Sequence, residues 1–302
     1  MRQHDVVSVH LPQAEGGMLA FMGHYLARKP VVLTYHCDLK LPPGIFNRFL
    51  DRIVYTANYM AGLFANRIVA CTEDYRTHSA YLSKFKDKTR VIYPPVVMPP
   101  AREEDRQALR NAIALEGKRV IGFAARIAAE KGGEYLLDAI PYILQEVPDL
   151  KVLLVGEYRN VIGENAYFRK LEPLIERHQE HLILLGVLDP LQMPAFFASC
   201  EVLVVSSVNS TESFGLVQVE AMLCGTPVVA TNLPGVREPV RLTGMGEIVP
   251  IRDERAIAAA VLKVMRNRQA YIKPRRTIAN LFDLERTVEE YERLFAGNLE
   301  GQ

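Results

Sequence analysis

Two basic residues have the spacing of a phosphate-binding loop. Arg126 and Lys131 lie five residues apart in the segment FAARIAAEKGG, after an apolar run typical of a buried strand and before an amphipathic run typical of a helix. Open α/β sheets bind ligands at the carboxyl ends of their strands, where an arginine fork and a lysine charge suit a diphosphate. Solvated loop residues would give the same spacing, so this motif alone leaves both interpretations open.

Two glutamates lie around the start of another predicted helix, in the segment STESFGLVQVEAMLCGTPVVAT. Glu212 precedes that helix, and Glu220 lies within it between the apolar residues Val219 and Ala221. A carboxylate in such surroundings costs several kcal/mol unless it has polar partners, and the hydroxyl groups of a ribose would provide them. The first backbone N–H groups of a helix lack intrahelical partners and bind anions or hydroxyl groups. The residues that would supply them here are Ser213, Phe214, Gly215 and Leu216.

A histidine and an aspartate end a predicted strand in the segment PVVLTYHCDL. His36 and Asp38 are therefore expected at the rim of a sheet. A histidine at a strand end is often structural, so this pair also needs a wider pattern before it indicates function. The other histidines (His4, His10, His24, His78, His178 and His181) have no metal-ligand spacing, and no Asp-x-Asp pattern ends a strand. We expect no metal site.

The composition predicts a folded protein of two domains. Its 302 residues are too many for one ordinary core, and 49% of them are apolar. Residues 1–97 carry 12 Lys and Arg against 7 Asp and Glu, whereas the rest of the chain carries 24 against 28. The basic first part favours an acidic acceptor or peripheral contact with an anionic membrane surface, although an ordinary solvated surface would have the same charge. We expect no nucleic-acid partner.

The four cysteines favour a reducing compartment, because Cys37, Cys71, Cys200 and Cys224 show neither a CxxC motif nor metal-finger spacing. The chain opens without a signal-peptide pattern, and its longest apolar stretch is too short and polar to span a bilayer. We therefore expect a cytoplasmic location, with peripheral contact at the inner face of the membrane as one alternative.

Alternating apolar and amphipathic runs predict parallel sheets covered by helices on both faces. The predicted strands are Val6–His10, Val31–His36, Ile68–Cys71 and Arg90–Tyr93, then Val120–Ala125, Lys151–Gly156, Leu182–Leu188, Val202–Ser206, Pro227–Thr231 and Glu247–Pro250. Helices are expected near Glu15–Arg28, Gly44–Ala65 and Glu73–Lys84, and between all later strands, with a sixth after the last one. Pro94, Pro95, Pro99 and Pro100 mark a domain boundary. The predicted domains are 1–97, 98–280 and a helix in 281–302 that begins after an Asp283 cap and packs back toward the first domain.

Together these motifs resemble the retaining family 4 glycosyltransferases, which have the GT-B fold of two Rossmann-like domains facing a cleft. The resemblance covers residues 89–297 and rests on RVIGFAARIAAEKGGEYLLDAI, KVLLVGE, LILLGVL, ESFGLVQVEAMLCGTPVVAT and GEIVP, in that order. It implies that a UDP- or GDP-sugar is the donor substrate, that no separate cofactor is needed, and that the acceptor is a glycan, a lipid or a small molecule.

The resemblance also implies residue roles. Arg126 and Lys131 would bind the donor diphosphate, Glu220 the ribose hydroxyls, and His36 and Glu212 the transferred sugar. Asp38 would orient His36 or a sugar hydroxyl. Ser213 to Leu216 would add backbone N–H groups, and Leu188 would contact the base, although it is equally compatible with ordinary core packing.

The N-terminal domain departs from the family pattern, because HDVVSVHLP resembles the fourth strand of the family and three earlier strands and a Gly-rich loop are expected before it. We therefore expect Val6–His10 to be an exposed sheet edge at which Val6, Val7 and Val9 face solvent or another chain. We expect the protein to self-associate through this edge, to aggregate, or to have a loosened N-terminal part. Two further hypotheses remain open: a catalytically deficient donor-binding protein or subunit completed by a partner chain, and a nucleotide-sugar epimerase, which the Glu212-Glu220 motif disfavours.

Overall fold

The structure is a computed structural model that describes residues 4–41, 44–159, 161 and 163–299. All strand pairings in this part of the chain are parallel. The strands are β1 (Val7–Leu11), β2 (Val31–Tyr35), β3 (Arg67–Ala70), β4 (Thr89–Val91), β5 (Arg119–Ala124), β6 (Leu150–Val155), β7 (Leu182–Gly186), β8 (Val202–Val205), β9 (Val228–Thr231) and β10 (Gly246–Val249). Each of them overlaps a predicted strand, and the parallel α/β class is confirmed.

Helices connect the strands, as the alternating pattern predicts. They are α1 (Gly16–Phe21), α2 (Ile45–Phe64), α3 (Glu73–His78), α4 (Glu103–Ala112), α5 (Gly133–Leu144), α6 (Asn165–Arg177), α7 (Met193–Ser199), α8 (Leu216–Leu223), α9 (Glu238–Thr243), α10 (Glu254–Arg266), α11 (Arg268–Tyr271), α12 (Arg275–Leu281) and α13 (Leu284–Leu299). A π-helical turn, Met22–Leu26, continues α1, and short 3-10 turns lie at Leu82–Lys84, Lys86–Lys88 and Ala129–Lys131. Three helices rather than one lie between β10 and α13, and Pro274 directly precedes the third of them.

The chain divides into two compact units. The first comprises Met1–Pro95, Asn209–Phe214 and Phe282–Gln302, and the second comprises Val96–Val208 and Gly215–Leu281. The predicted second domain was continuous over 98–280, so the assignment of Asn209–Phe214 to the first unit is a difference from that prediction. Its physical reason is that Ser210 and Thr211 are hydrogen-bonded to the loop around Asp38 in the first unit.

The first unit has a four-stranded sheet in the order β1-β2-β3-β4. One face buries Val9, Leu33 and Ile68, and the opposite face packs Val32 and Val69 against the apolar side of α13. As predicted, Asp283 caps α13, because its Oδ1 accepts a hydrogen bond of 2.8 Å from the Arg286 N–H.

The predicted helix over Glu73–Lys84 is wrong beyond His78. Ser79 and Ala80 leave the helix because both donate to the carboxylate of Asp38, Ser79 through its hydroxyl at 2.9 Å and Ala80 through its N–H at 3.2 Å. A tertiary hydrogen-bond acceptor therefore ends α3 at a point that local sequence preference does not mark.

Strand β1 lies at the edge of its sheet and pairs only with β2 in the part of the chain that the structure describes. The expectation that the valines here face solvent is wrong for Val9, which is 4% exposed in the core, and for Val6, which is half-buried against the cluster of Val32, Val69 and Ile92. Side chains of a strand point to the two faces of the sheet, whereas an edge exposes backbone groups. The edge is therefore a row of backbone donors and acceptors, not an apolar surface.

The second unit has a six-stranded sheet in the order β10-β9-β8-β5-β6-β7. Strand β5 lies between β6 and β8, so the loops that follow β5 and β8 leave the sheet on either side of a topological switch point. Helices α5 and α10 pack together over the sheet, with Ile140 and Val261 completely buried. This arrangement positions the charged loop residues considered next.

Candidate active site

The loop after β5 carries Arg126, whose guanidinium is held by a neighbouring carboxylate. Arg126 Nη2 lies 2.6 Å from Oε1 of Glu130, which is buried, while the arginine side chain is about half exposed. A buried carboxylate fixes the orientation of the guanidinium, and the rest of the fork stays accessible to an anion. Glu130 is a functional candidate that the sequence interpretation missed, although its position four residues after Arg126 indicated such a pair.

The loops after β5 and β8 are tied together by backbone contacts. The Ser206 hydroxyl donates to the carbonyl oxygens of Lys131 and Gly132 at 3.1 and 2.9 Å, and the Val208 N–H donates to the carbonyl of Glu130 at 2.9 Å. Gly132 has φ +61°, and a Cβ atom there would lie 2.3 Å from the Ser206 carbonyl oxygen. Only glycine fits this position without displacing the loop that carries Arg126 and Lys131.

Helix α8 begins after Gly215, which has φ +76°, and carries Glu220 on a partly buried face. Burial raises the pKa of Glu220, and its carboxylate makes no hydrogen bond or ion pair with any residue of the described ranges. Leu216 is exposed at the helix start. Glu220 is thus a half-buried acid, and no residue that the structure describes in this chain supplies its carboxylate with a hydrogen bond or an ion pair.

In the first unit, His36 follows the end of β2 and stacks on His10 of β1. The two rings are 5.1 Å apart, and Nδ1 of His10 lies 2.9 Å from Nε2 of His36, so that one ring nitrogen donates to the other. Burial, and secondarily the proximity of His10, lower the pKa of His36. The surroundings of His36 therefore favour its neutral form, and the hydrogen bond links its tautomer to that of His10.

His10 is the second candidate that the sequence interpretation missed. It was set aside because it lacks metal-ligand spacing, but parallel pairing places His10 opposite Thr34 and Leu11 opposite Tyr35. A parallel sheet brings the carboxyl ends of neighbouring strands to the same rim. The signal was present in the two strand-terminal segments VSVH and LTYH.

Segment 209–214, which contains Glu212, packs on the loop that follows His36. The Ser210 hydroxyl donates to the carbonyl of Asp38 at 3.1 Å, and the Lys40 N–H donates to the Thr211 hydroxyl at 3.1 Å. The Tyr75 hydroxyl donates to the Ser210 carbonyl at 3.0 Å. Glu212 therefore belongs to the same compact unit as His36, although the chain on either side of segment 209–214 belongs to the second unit.

The two residues after Glu212 are also fixed in the first unit. The carbonyl of Ser213 accepts a hydrogen bond of 3.4 Å from the Cys71 thiol, and the Phe214 ring contacts Phe282 edge to face at 5.5 Å between centroids. The predicted donors Ser213 and Phe214 are thus divided from Gly215 and Leu216 by the boundary between the two compact units.

Asp38 makes its hydrogen bonds to the surrounding framework. Its Oδ1 accepts from the Tyr35 hydroxyl at 2.7 Å in addition to Ser79, and its backbone N–H donates to the Tyr75 hydroxyl at 2.5 Å. Burial, reinforced by the Asp38 charge, raises the pKa of both tyrosines, which remain protonated donors. Asp38 therefore stabilises the loop on which segment 209–214 packs. The predicted partner of His36 was Asp38, but its ring is hydrogen-bonded to His10.

A cavity of about 480 Å³ opens beside the histidine pair in the first unit. It is lined mostly by apolar surface, including Pro95 and the side of α13 around Tyr291, and its polar groups include the two imidazoles, Thr34 and Glu292. Leu188, the predicted base contact, lies in the second unit two residues beyond β7. It is partly buried and lines a separate cavity of about 450 Å³ near α4 and α7.

Two further properties concern metals and membranes. Within residues 4–41, 44–159, 161 and 163–299, no group of three or more His, Cys, Asp or Glu side chains is arranged to hold a metal ion. No helix in the same ranges combines the length and apolar character that crossing a bilayer requires.

The sequence model of the family described as "Glycosyl transferases group 1" matches residues 105–281, more than half of the chain. The chain belongs to this family. The match begins in α4 and ends with α12, so that it contains Arg126, Lys131, Glu212 and Glu220, the residues singled out from the sequence.

Two similar proteins act on inositol-containing compounds according to their names. A phosphatidyl-myo-inositol mannosyltransferase of Mycobacterium leprae is 33% identical over 159 residues, which cover 52% of this chain and 40% of that protein. A D-inositol 3-phosphate glycosyltransferase of Geodermatophilus obscurus is 33% identical over 237 residues, which cover 74% of this chain and 51% of that protein. The chain spans about half the length of the curated relatives it matches.

Solved glycosyltransferase structures confirm the GT-B fold. HepE of Anabaena, crystallised with UDP and glucose, has a TM-score of 0.82 and 23% identity, and the match covers 98% of this chain and 78% of HepE. Sucrose-phosphate synthase of Thermosynechococcus elongatus has a TM-score of 0.81 and 22% identity, with 99% and 75% covered. At these identities the likeness concerns the fold, and the predicted roles of individual residues remain predictions.

Proposed function

We propose that this protein transfers a sugar from a UDP- or GDP-sugar to an acceptor hydroxyl, with retention of anomeric configuration and without a metal ion. The observation that carries this proposal is the placement of segment 209–214 on the loop after His36. This placement puts Glu212 in the unit that holds the histidine pair. The residues on either side of segment 209–214 belong to the other unit, which holds Arg126, Lys131 and Glu220.

The proposed donor site lies at the switch point of the second unit. Arg126 and Lys131 would bind the diphosphate, Glu220 would accept hydrogen bonds from the ribose, and Leu188 would contact the base. The fixed Arg126–Glu130 pair supports this arrangement, because a preoriented guanidinium loses little freedom on binding phosphate. UDP in the complexes of HepE supports a nucleoside diphosphate as ligand of the fold.

In the proposed reaction the bond between the anomeric carbon and the diphosphate oxygen breaks, and the electron pair leaves with the diphosphate. The acceptor oxygen forms the new bond on the same face of the sugar, and its proton passes to the leaving phosphate oxygen, the nearest base on that face. Negative charge grows on the diphosphate, where Arg126 and Lys131 stabilise it electrostatically. His36 and Glu212 would contact the positively charged sugar.

The cavity beside His10 and His36 is the proposed entrance of the acceptor in the first unit. Its apolar wall favours an acceptor with an apolar or ring-shaped part next to the reacting hydroxyl. Inositol compounds, which occur in the names of two relatives, support a hydroxyl-bearing ring as the acceptor.

The test is incubation of the chain with UDP- and GDP-sugars and with inositol-type acceptors, with NMR identification of the product anomer. Glu212→Gln and His36→Ala should each lower transfer by about 100-fold or more, while Glu73→Gln, an exposed ion-pair partner on α3, should leave it unchanged. An inverted product would refute the retaining mechanism. Tight nucleotide binding without transfer or donor hydrolysis would favour the alternative, a donor-binding protein that needs another chain.

A further inference from the structure

Helix α2 has the reverse of the usual distribution of apolar side chains. Its buried residues are Asn58, Ala61 and Gly62, all small or polar. Most of its large apolar side chains point outward, with exposed fractions of 82% for Ile45, 71% for Phe46 and 63% for Phe49. None of the described residues from Ile45 to Ala57 is buried. The hydrophobic effect within this chain does not account for these residues, because the fold leaves them in water.

The apolar stripe of α2 continues onto the neighbouring helix. The rings of Phe21 and Tyr25 lie 5.5 and 5.6 Å from Phe64 at the end of α2, and a Cβ atom added to Gly17 would lie 3.2 Å from Cβ of Met60. The exposed apolar side chains of this surface are Met18, Phe21, Tyr25, Leu26, Ile45, Phe46, Phe49, Ile53, Met60 and Leu63. We call these ten residues the α1–α2 face. Contiguous apolar surfaces of this kind mark contact with a partner or a membrane.

The charges on this face select the partner. Gly16–Leu26 and α2 together carry Arg48, Arg52, Asp51 and His24 as their charged or titratable groups other than tyrosines. Both arginines are exposed beside the stripe and make no ion pair with any described residue, whereas Oδ1 of Asp51 accepts from the Leu41 N–H at 3.3 Å. The exposed charge of the face is therefore positive. Two copies of this face would bring four arginines together, while an anionic lipid surface supplies the opposite charge.

We propose that the α1–α2 face is a docking surface for an anionic membrane, on which α2 lies in the plane of the interface. Ile45, Phe46, Phe49 and Ile53 enter the acyl boundary, and Arg48 and Arg52 contact lipid phosphates. The first turns of α2 extend this contact furthest, because they include no buried residue. The inference goes beyond the proposed sugar transfer and does not depend on it, since membrane binding is measured without donor or acceptor.

The experiment is cosedimentation of the full chain with vesicles of phosphatidylcholine, with and without phosphatidylglycerol. We expect binding to the anionic vesicles that weakens as salt is raised. Phe46→Ser combined with Phe49→Ser should reduce partitioning by about tenfold or more, with unchanged thermal unfolding. The matched control is Val187→Ser combined with Leu191→Ser, which removes two side chains of similar exposure (75% and 79%) from the second unit and should leave vesicle binding intact.

The arginines provide the second arm. Arg48→Gln combined with Arg52→Gln should abolish the preference for anionic over neutral vesicles and leave the residual apolar binding. Failure of the unaltered chain to bind anionic vesicles would overturn the proposal, as would equal loss in the Val187 and Leu191 control. Size-exclusion chromatography identifies the competing occupant: a dimer that the Phe46 and Phe49 variant converts to a monomer, without vesicle binding, would assign the face to a second copy.

Discussion

Replacement of Glu220 by glutamine should separate a ligand-binding carboxylate from a structural one. Burial raises the pKa of Glu220 above its ordinary value of 4.5. The folded state therefore binds the proton more tightly than the unfolded state, and stability falls as pH rises through the folded pKa. At pH 7 the ionised side chain destabilises the fold, so Glu220→Gln should raise the free energy of unfolding there. Well below pH 4.5 both states are protonated, and the gain should disappear.

Nucleotide binding should change in the opposite direction. If Glu220 accepts hydrogen bonds from a ribose, glutamine removes the charge that strengthens them, at a cost of about 1.5–3 kcal/mol. The dissociation constant for UDP or GDP, whichever binds, should then rise about 10- to 150-fold. Isothermal titration calorimetry measures this change, and urea unfolding between about pH 3 and pH 8 measures the stability.

Glu201→Gln is the matched control in the same unit. Glu201 is already paired, because Arg119 Nη2 donates to its Oε2 at 2.6 Å, and both side chains are partly exposed. The change should therefore lower stability by up to about 1 kcal/mol and leave nucleotide affinity unaltered. The reasoning is wrong if Glu220→Gln behaves like this control, with lower stability at pH 7 and unchanged affinity for both nucleotides.

Three further predictions concern the loops, the metal and the sheet edge. Gly132→Ala should lower the free energy of unfolding by about 2–4 kcal/mol in urea titrations. The control Gly117→Ala, at φ +66° with open space around it, should lower it by about 1 kcal/mol. Equal losses would exclude the contact with Ser206 as the cause. Transfer or donor hydrolysis should persist in excess EDTA, and a strict requirement for Mg²⁺ or Mn²⁺ would contradict the proposed mechanism. In hydrogen exchange the amide of Val9 should be protected by β2 while those of Ser8 and His10 exchange quickly; protection of all three would indicate the predicted self-association through this edge.

Local pattern was sufficient for the strands and for the elements that carry Arg126, Lys131 and Glu220. Alternating apolar and amphipathic runs predicted all the observed strands, because a strand buried on both faces needs a continuous apolar stretch whatever surrounds it. Arg126, Lys131 and Glu220 were recognisable for a similar reason. Their positions after a strand or within an apolar helix are properties of a short segment, so the sequence alone determined the class of fold and the elements that carry these side chains.

Contacts between residues distant in the chain determined the features that no short segment could predict. The sequence placed Glu212 in the second domain, whereas long-range contacts assign it to the first unit, among them the hydrogen bonds that join Ser210 and Thr211 to the loop around Asp38, some 170 positions earlier. The same loop ends α3 at His78, and parallel register alone brings His10 onto His36. Each of these three features depends on a partner residue distant in the chain. Such a partner comes into contact only when the strands pair and the core forms. The sequence shows which side chains are apolar, whereas the tertiary structure determines which of them become buried. On α2 several of the largest apolar side chains stay exposed.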